Sequence, residues 1–342
     1  MGISGKMRQA VHRVAQKYRD RENARTMRRA FEEALARVGA RATWEDFLQA
    51  RRQTGCNVRE YFLFHFYERT PEERDTFLTT ARRDAMIHYI GDDETINCSA
   101  PGNKILFNAL FGEFLCREWL NPTTCTDAQF ADFIRRHERV MVKPALAGRG
   151  EGLRVYHYQG DEEAAALRAE LSGNGMLIEE MPRQHPQMDR LNPYCINTVR
   201  FCTYTDRDEV HILLAAPRTA KGKSFVDNVA AGGLIMAADL RTGVVTSDGV
   251  DEEARFFETH PLTGTRLKGF QIPNWDRALD VVHRAARALY AIPQCRYIGW
   301  DLGFLADDRV AVIECNWRQG LLAQVPQGRG YYHELKKLCQ KP

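Results

Sequence analysis

Apolar positions recur at helical spacing between residues 5 and 38, with Val11, Val14, Met27, Phe31, Leu35 and Val38 on one side and no Pro in between. A helix, broken midway, is expected there. Thr43 before Trp44-Glu45-Asp46 and Thr70 before Pro71-Glu72-Glu73 read as caps of two more helices, the second with Pro at its first position. The helical pattern breaks at Asp92-Asp93-Glu94 and Ala100-Pro101-Gly102-Asn103, which sets off an N-terminal helical region over 1–98. An apolar helix over 104–111 and a helix over 127–137 capped by Thr126 follow. Beyond them the pattern is mixed, with strands at 139–144, 153–158, 176–181, 197–204 and 211–216, an amphipathic helix at 275–291, a hairpin at 297–317 and a last short helix at 332–338.

Polar residues set into these apolar strands carry the candidate chemistry. Asp301 falls on the first strand of the hairpin, and Glu314 and Asn316 fall two apart on the second. Residues two apart share a face, so pairing would gather three hard-oxygen side chains. Buried acids are costly unless a cation compensates them, and such oxygens suit Mg²⁺, which usually also takes phosphate ligands. A hairpin with one solvated face is the other reading. Lys143 leads from its strand into Ala147-Gly148-Arg149-Gly150-Glu151-Gly152. Glycines on alternate positions let backbone N–H groups approach a phosphate, and Lys143 and Arg149 add positive charge. This is not a Walker loop, which runs into a helix, and a plain glycine-rich hairpin fits the same residues.

The strand ending at Glu179-Glu180-Met181 offers backbone groups for an adenine and an acid for a ribose, although many surface strands end in Glu. Arg200 lies mid-strand, where a guanidinium needs an anionic partner. Arg218, Lys221, Lys223, Asp227 and Asn228 follow the strand 211–216, ahead of Gly232-Gly233. They offer cations and polar groups to an acidic or phosphorylated substrate.

Composition changes this picture only locally. The 342 residues are 44% apolar and 27% charged, with a net charge of +3 that makes no case for nucleic acid. Residues 1–41 hold eleven Lys or Arg against four acids, an excess of +7, which suits either a solvated helix face or an acidic partner or anionic membrane surface. Nine scattered cysteines without a Cys-x-x-Cys pair fit neither a disulfide framework nor a zinc site. With no apolar run of transmembrane length and no signal-peptide core, the expected location is cytoplasmic.

Taken in order, these segments resemble the ATP-grasp superfamily, and within it the sugar-transfer-associated branch. The likeness spans 103–317: Asn103-Lys104, Val142-Lys143-Pro144 with its glycine loop, Ile178-Glu179-Glu180, and His185-Pro186 ahead of Asn197-Thr198-Val199-Arg200, then Asp227-Asn228 with Gly232-Gly233, Gly299-Trp300-Asp301 and Glu314-Cys315-Asn316. Cys315 stands where the family commonly has a small residue. The resemblance implies an α+β ATP-grasp fold, with a first lobe at 99–181 and a second at 182–342 gripping ATP. It leaves the N-terminal helical region unaccounted for.

The resemblance also implies ATP and Mg²⁺ as cofactors. Lys104, Lys143 and the loop of Gly148, Arg149, Gly150 and Gly152 would meet the phosphates. Glu179, Glu180, Met181 and His185 would meet the rest of the nucleotide, and Asp301, Glu314 and Asn316 would hold the metal. Arg200, Lys143 and Asn316 would serve the reaction, and Arg200 with Arg218, Lys221, Lys223, Asp227 and Asn228 would meet substrate. The reaction it implies joins a carboxylate to an amine or thiol through an acyl-phosphate, in a biosynthetic pathway. A phosphotransferase acting on a hydroxyl and a non-catalytic nucleotide-binding partner are the alternatives.

Overall fold

Helices begin where the sequence supplies a side chain that can accept from an exposed backbone N–H. Thr43 Oγ1 accepts from Asp46 N at 3.1 Å and starts the helix Trp44–Thr54, and Gly55 ends it with φ +72°. Asn57 with Glu60 and Thr70 with Glu73 form reciprocal capping boxes at the starts of Val58–Leu63 and Pro71–Asp75. The computed structural model describes residues 23–89, 102–146, 151–292, 295–317 and 319–340. The first half of the predicted N-terminal helix, the boundary expected at residue 98, and Gly148, Arg149 and Gly150 lie outside the described residues.

Internal contacts divide the chain into residues 1–83 and 84–342. In the first unit, helices from residue 23 onward enclose an aromatic core in which Phe31 lies 5.3 Å from Phe62, Phe47 5.4 Å from Tyr61 and Phe64 5.1 Å from Phe77, ring centre to ring centre. The basic face of its first described helix is partly neutralised, since Arg28 pairs with Glu32 and Arg29 with Glu33 one turn on.

The second unit holds two antiparallel sheets. Strands β1 (Trp119–Leu120), β2 (Arg139–Pro144), β3 (Arg154–His157) and β4 (Met176–Glu180) form the first in the order β1-β4-β2-β3. Helices Asp127–His137 and Asp161–Leu171 cover it, burying Phe130, Phe133, Ile134, Leu167 and Leu171 with Val140, Val142 and Ile178. The second sheet contains β5 (Thr198–Thr205), β6 (Val210–Ala220), β7 (Gly233–Ile235), β8 (Gly249–Val250), β9 (Phe256–Phe257), β10 (Tyr297–Phe304) and β11 (Val310–Asn316), in the order β11-β10-β5-β6-β7-β8-β9. Alternation along β5 and β10 sends Val199, Phe201, Trp300 and Leu302 into the core shared with the amphipathic helix Trp275–Ala288, which leaves Arg200 and Asp301 to the opposite face. Among the described residues no helix is long and apolar enough to cross a membrane.

Two departures from the sequence reading matter for the site. The strand expected to stop at 216 runs to Ala220, so Arg218 belongs to a central strand and not to a loop. The hairpin also carries a bulge: Asp301 pairs with Glu314 but Leu302 pairs with Val312, so Ile313 has no opposite number. Val312 therefore enters the core, while Ile313 and Glu314 both line the cleft described below.

The Thr126 cap gives a stability prediction separate from the site. Thr126 Oγ1 accepts from Gln129 N at 3.2 Å, and Gln129 Oε1 accepts from Thr126 N at 2.9 Å. Thr126→Ala should cost about 1 kcal/mol, read as a lower denaturant midpoint at an unchanged slope.

Candidate functional site

A cleft of about 430 Å³ opens within the second unit, between elements of its two sheets. Of the residues expected from the sequence, Lys104, Lys143, Glu179, Glu180 and Met181 line it from the first-sheet side, and Arg218, Asp227, Asn228, Asp301 and Glu314 from the second-sheet side. Gly152, His185, Arg200, Lys221, Lys223 and Asn316 do not form its lining. A wider depression around Glu113, Asp208, Glu209, His283 and Arg284 gathers none of the expected residues.

The second-sheet side is built around Asp301, which is 0% exposed. Arg200, directly opposite on β5, forks onto both its oxygens, with Nη2 2.7 Å from Oδ2. Arg218 Nη2 reaches the same Oδ2 at 2.8 Å. Burial works to raise the Asp301 pKa, but the two guanidiniums outweigh it and draw it down to about 2. Glu314 has the opposite fate, because burial and then the adjacent Asp301 carboxylate push its pKa up. Asn316 Nδ2 donates to Glu314 Oε1 at 3.3 Å, so the three expected metal-site residues do come together.

Gly299 makes room for this arrangement. A Cβ there would lie 2.4 Å from Gln319 Oε1 and 3.0 Å from Arg200 Cδ, so a side chain would displace Gln319 and press on the stem of Arg200. Gly152, at the end of the glycine loop, is needed for a different reason: its φ is +70°, and a Cβ would meet Pro144 Cγ at 2.6 Å.

The first-sheet side is built around Glu179, whose side chain is 2% exposed. Arg117 forks onto its two oxygens at 2.9 and 3.2 Å, Lys143 Nζ lies 2.5 Å from Oε2, and Asn108 Nδ2 donates to Oε1 at 2.7 Å. Burial alone would raise this carboxyl, yet Arg117 and Lys143 hold it well below the usual carboxylate range. With its oxygens so engaged, Glu179 is not open to a ribose, which corrects the role expected for it. Glu180 is engaged as well, its Oε2 accepting from Glu118 N at 3.0 Å. Lys104 faces the same cleft with its pKa lowered, by burial first and by nearby Lys143 against the opposing pull of Glu314.

Other expected residues are placed differently. His185 caps the short helix Pro186–Asp189 through Nδ1 and turns Nε2 toward Asp308 at 3.4 Å, away from the cleft lining. Lys221 pairs with buried Asp251 at 3.1 Å, and Lys223 lies over the Tyr194 ring at 5.4 Å. Arg218 and Asp227 are bound together through Thr198, whose Oγ1 donates to Asp227 and accepts from Arg218 Nη2 at 2.7 Å. Sequence reasoning missed Arg117, Asn108, Thr198 and Ile313. Each has an ordinary local context, and only long-range pairing reveals its place.

A sequence model of the family described as sugar-transfer associated ATP-grasp matches residues 121–340. Among solved structures the chain is similar to D-alanyl-alanine synthetase A from Vibrio cholerae, at 10% identity over 70% of this chain and 64% of that one, with a TM-score of 0.42. It is also similar to the ATP-grasp ligase PsnB complexed with a minimal precursor variant, Mg and ADP, at 15% identity over 70% and 57% and a TM-score of 0.41. D-cycloserine synthetase DcsG matches at 14% identity over 76% and 80%, with a TM-score of 0.44. The chain thus spans under two thirds of the length of the first matched structures, 64% and 57%. A search of curated proteins finds no match.

Proposed function

Because this chain belongs to the sugar-transfer associated ATP-grasp family and has the α+β ATP-grasp fold, we propose that it is an ATP- and Mg²⁺-dependent, ADP-forming ligase joining a carboxylate to an amine or thiol. The observation that carries this reading is the gathering of Lys104 and Lys143 with Asp301 and Glu314 in one cleft. In the proposed role, Lys104 and Lys143 bind the nucleotide phosphates. The adenine lies at the end of β4 near Met181, beside apolar Phe107, Met141, Leu153 and Ile313.

The residues fit Mg²⁺. Asp301 and Glu314 face each other across the hairpin with the Asn316 amide beside them, and burial together with the Asp301 carboxylate raises the Glu314 pKa despite Arg200 and Arg218, a like-charge contact that a bound cation would relieve. Among the described residues no group of three or more His, Cys, Asp or Glu forms a metal centre by itself. Asp301 Oδ2 already accepts from Arg200 and Arg218 while Oδ1 accepts only from Arg200, so Asp301 would offer Oδ1, and with Glu314 and the Asn316 amide this leaves coordination positions for phosphate oxygens, as Mg²⁺ sites usually do. When bound, the ion would neutralise charge on the transferring phosphoryl group.

Arg200 lies two donors deep on Asp301 and stabilises the anionic acyl-phosphate and the tetrahedral species formed when the nucleophile attacks it. A fixed donor of this kind lowers such a barrier by roughly 3 kcal/mol. Arg218 and Asp227 frame Thr198, and the acceptor meets Asn228 with the exposed rings of Tyr194 and Phe225 at the cleft. No nucleophilic side chain is required, in keeping with the Cys195 and Cys202 thiols, each pushed up by burial to about 12.

The test is chemical trapping. Protein, ATP, Mg²⁺ and a panel of amino and sugar acids, incubated with hydroxylamine, should yield a hydroxamate together with ADP and free phosphate. A stable phosphorylated acceptor with no hydroxamate would replace the ligase with a phosphotransferase.

A further inference from the structure

Arg117 is used by no step of that chemistry, yet it is the most completely bonded cation at the cleft. It sits between the helix Gly112–Leu115 and β1, with its side chain 2% exposed. Nε and Nη2 donate to the two oxygens of Glu179, Nη1 donates to the carbonyls of Leu115 and Val312 at 3.2 and 3.0 Å, and Nη2 also donates to the carbonyl of Ile313 at 3.2 Å. A guanidinium has five N–H donors, and these five bonds use them all.

The two ends of this fan lie on different sheets. Glu179 is on β4 and holds Lys143 of β2 at 2.5 Å. Val312 and Ile313 immediately precede Glu314 on β11, the outermost strand of the other sheet. Successive carbonyls of a regular strand point to opposite edges, and it is the bulge at Ile313 that lets one guanidinium take both. A lysine could supply the charge for Glu179 but has neither the fork nor the five donors.

We propose that Arg117 is a positioning residue that sets the Glu314 strand relative to Lys143, so that phosphate binding on one sheet and metal binding on the other are coupled. The proposal rests on the nucleotide and metal reading given above. A purely structural ion pair would affect folding stability alone, whereas a positioning role makes the gain in ATP affinity conferred by Mg²⁺ depend on Arg117.

The experiment measures ATP affinity by calorimetry on the full chain, in EDTA and in excess Mg²⁺, for the wild type and for Arg117→Lys, with thermal melting alongside. In folded Arg117→Lys, ATP affinity without metal should stay within about threefold of wild type, while the Mg²⁺-conferred gain should shrink by roughly tenfold or more, a normal size for coupling between sites. A folded variant whose Mg²⁺-conferred gain is intact overturns the proposal, whatever its melting temperature. If Arg117→Lys does not fold, hydrogen exchange on the wild type decides. ATP without metal should slow exchange in 310–312, which do not line the cleft, as well as in 139–144, and protection that leaves 310–312 unchanged overturns the coupling. Wild-type protein that takes up no ATP at all defeats the underlying nucleotide reading, and this is seen before any variant is made.

Discussion

Glu314→Gln should lower hydroxamate formation by roughly 10²- to 10³-fold, the scale of losing one main electrostatic contact to the reacting group, while the protein without metal becomes no less stable. Both halves come from the same geometry. Glu314 is half-buried beside Asp301, and its carboxylate is the disfavoured form there because of desolvation and that neighbour. A neutral amide of the same shape removes the like-charge contact, so stability without metal should hold or rise, whereas the contribution of Mg²⁺ to stability should fall. The measurements are turnover at saturating ATP and melting temperature with and without Mg²⁺. A variant turning over at the wild-type rate would show that Glu314 does not serve the metal.

Arg200→Met should be damaging on both counts. Removing one partner of a buried ion pair typically costs about 3–5 kcal/mol of stability, because the other charge is left uncompensated. Arg218 still reaches Asp301 Oδ2 at 2.8 Å, so the stability loss should fall at the low end of that range. In its proposed role Arg200 stabilises the reacting anion, so activity should drop by roughly 10²-fold or more. Arg200→Lys discriminates between the two effects: it returns a charge to Asp301 without the bidentate fork. Chemical denaturation should then show most of the stability restored, and turnover should remain low. Equal recovery of both would mean that Arg200 acts only through its charge.

The elements legible in the sequence are those set by local signals. Thr43, Thr70 and Thr126 each start a helix because a short hydroxyl side chain reaches a backbone N–H within one turn. The hairpin was visible from two apolar strands around an acidic turn, and the opposition of Asp301 and Glu314 follows from its register. The ATP-grasp fold was legible from the order of several weak motifs, none of which would have been specific alone.

What stayed hidden depends on partners distant in sequence. Simple alternation puts Val312 and Glu314 on one face, and nothing local announces the bulge that sends Val312 to the core and Glu314 to the cleft. The strand read as 211–216 continues through Pro217, a residue uncommon inside a sheet, and Arg218 becomes a buried residue beside Asp301. Nothing local in Cys116-Arg117-Glu118 singles out Arg117, which bonds to Glu179, 62 positions away, and to Ile313, 196 positions away. The expected open cations at Lys143 and Arg218 likewise could not be known to have carboxylate partners already.

The most direct test of the account is a calorimetric titration of the folded full-length chain with ATP, performed with Mg²⁺ and again in EDTA. Saturable binding that tightens with Mg²⁺ is the predicted result. Folded protein that gives no binding heat in Mg²⁺ would contradict the assignment of Lys104, Lys143, Asp301 and Glu314 to a nucleotide and its metal.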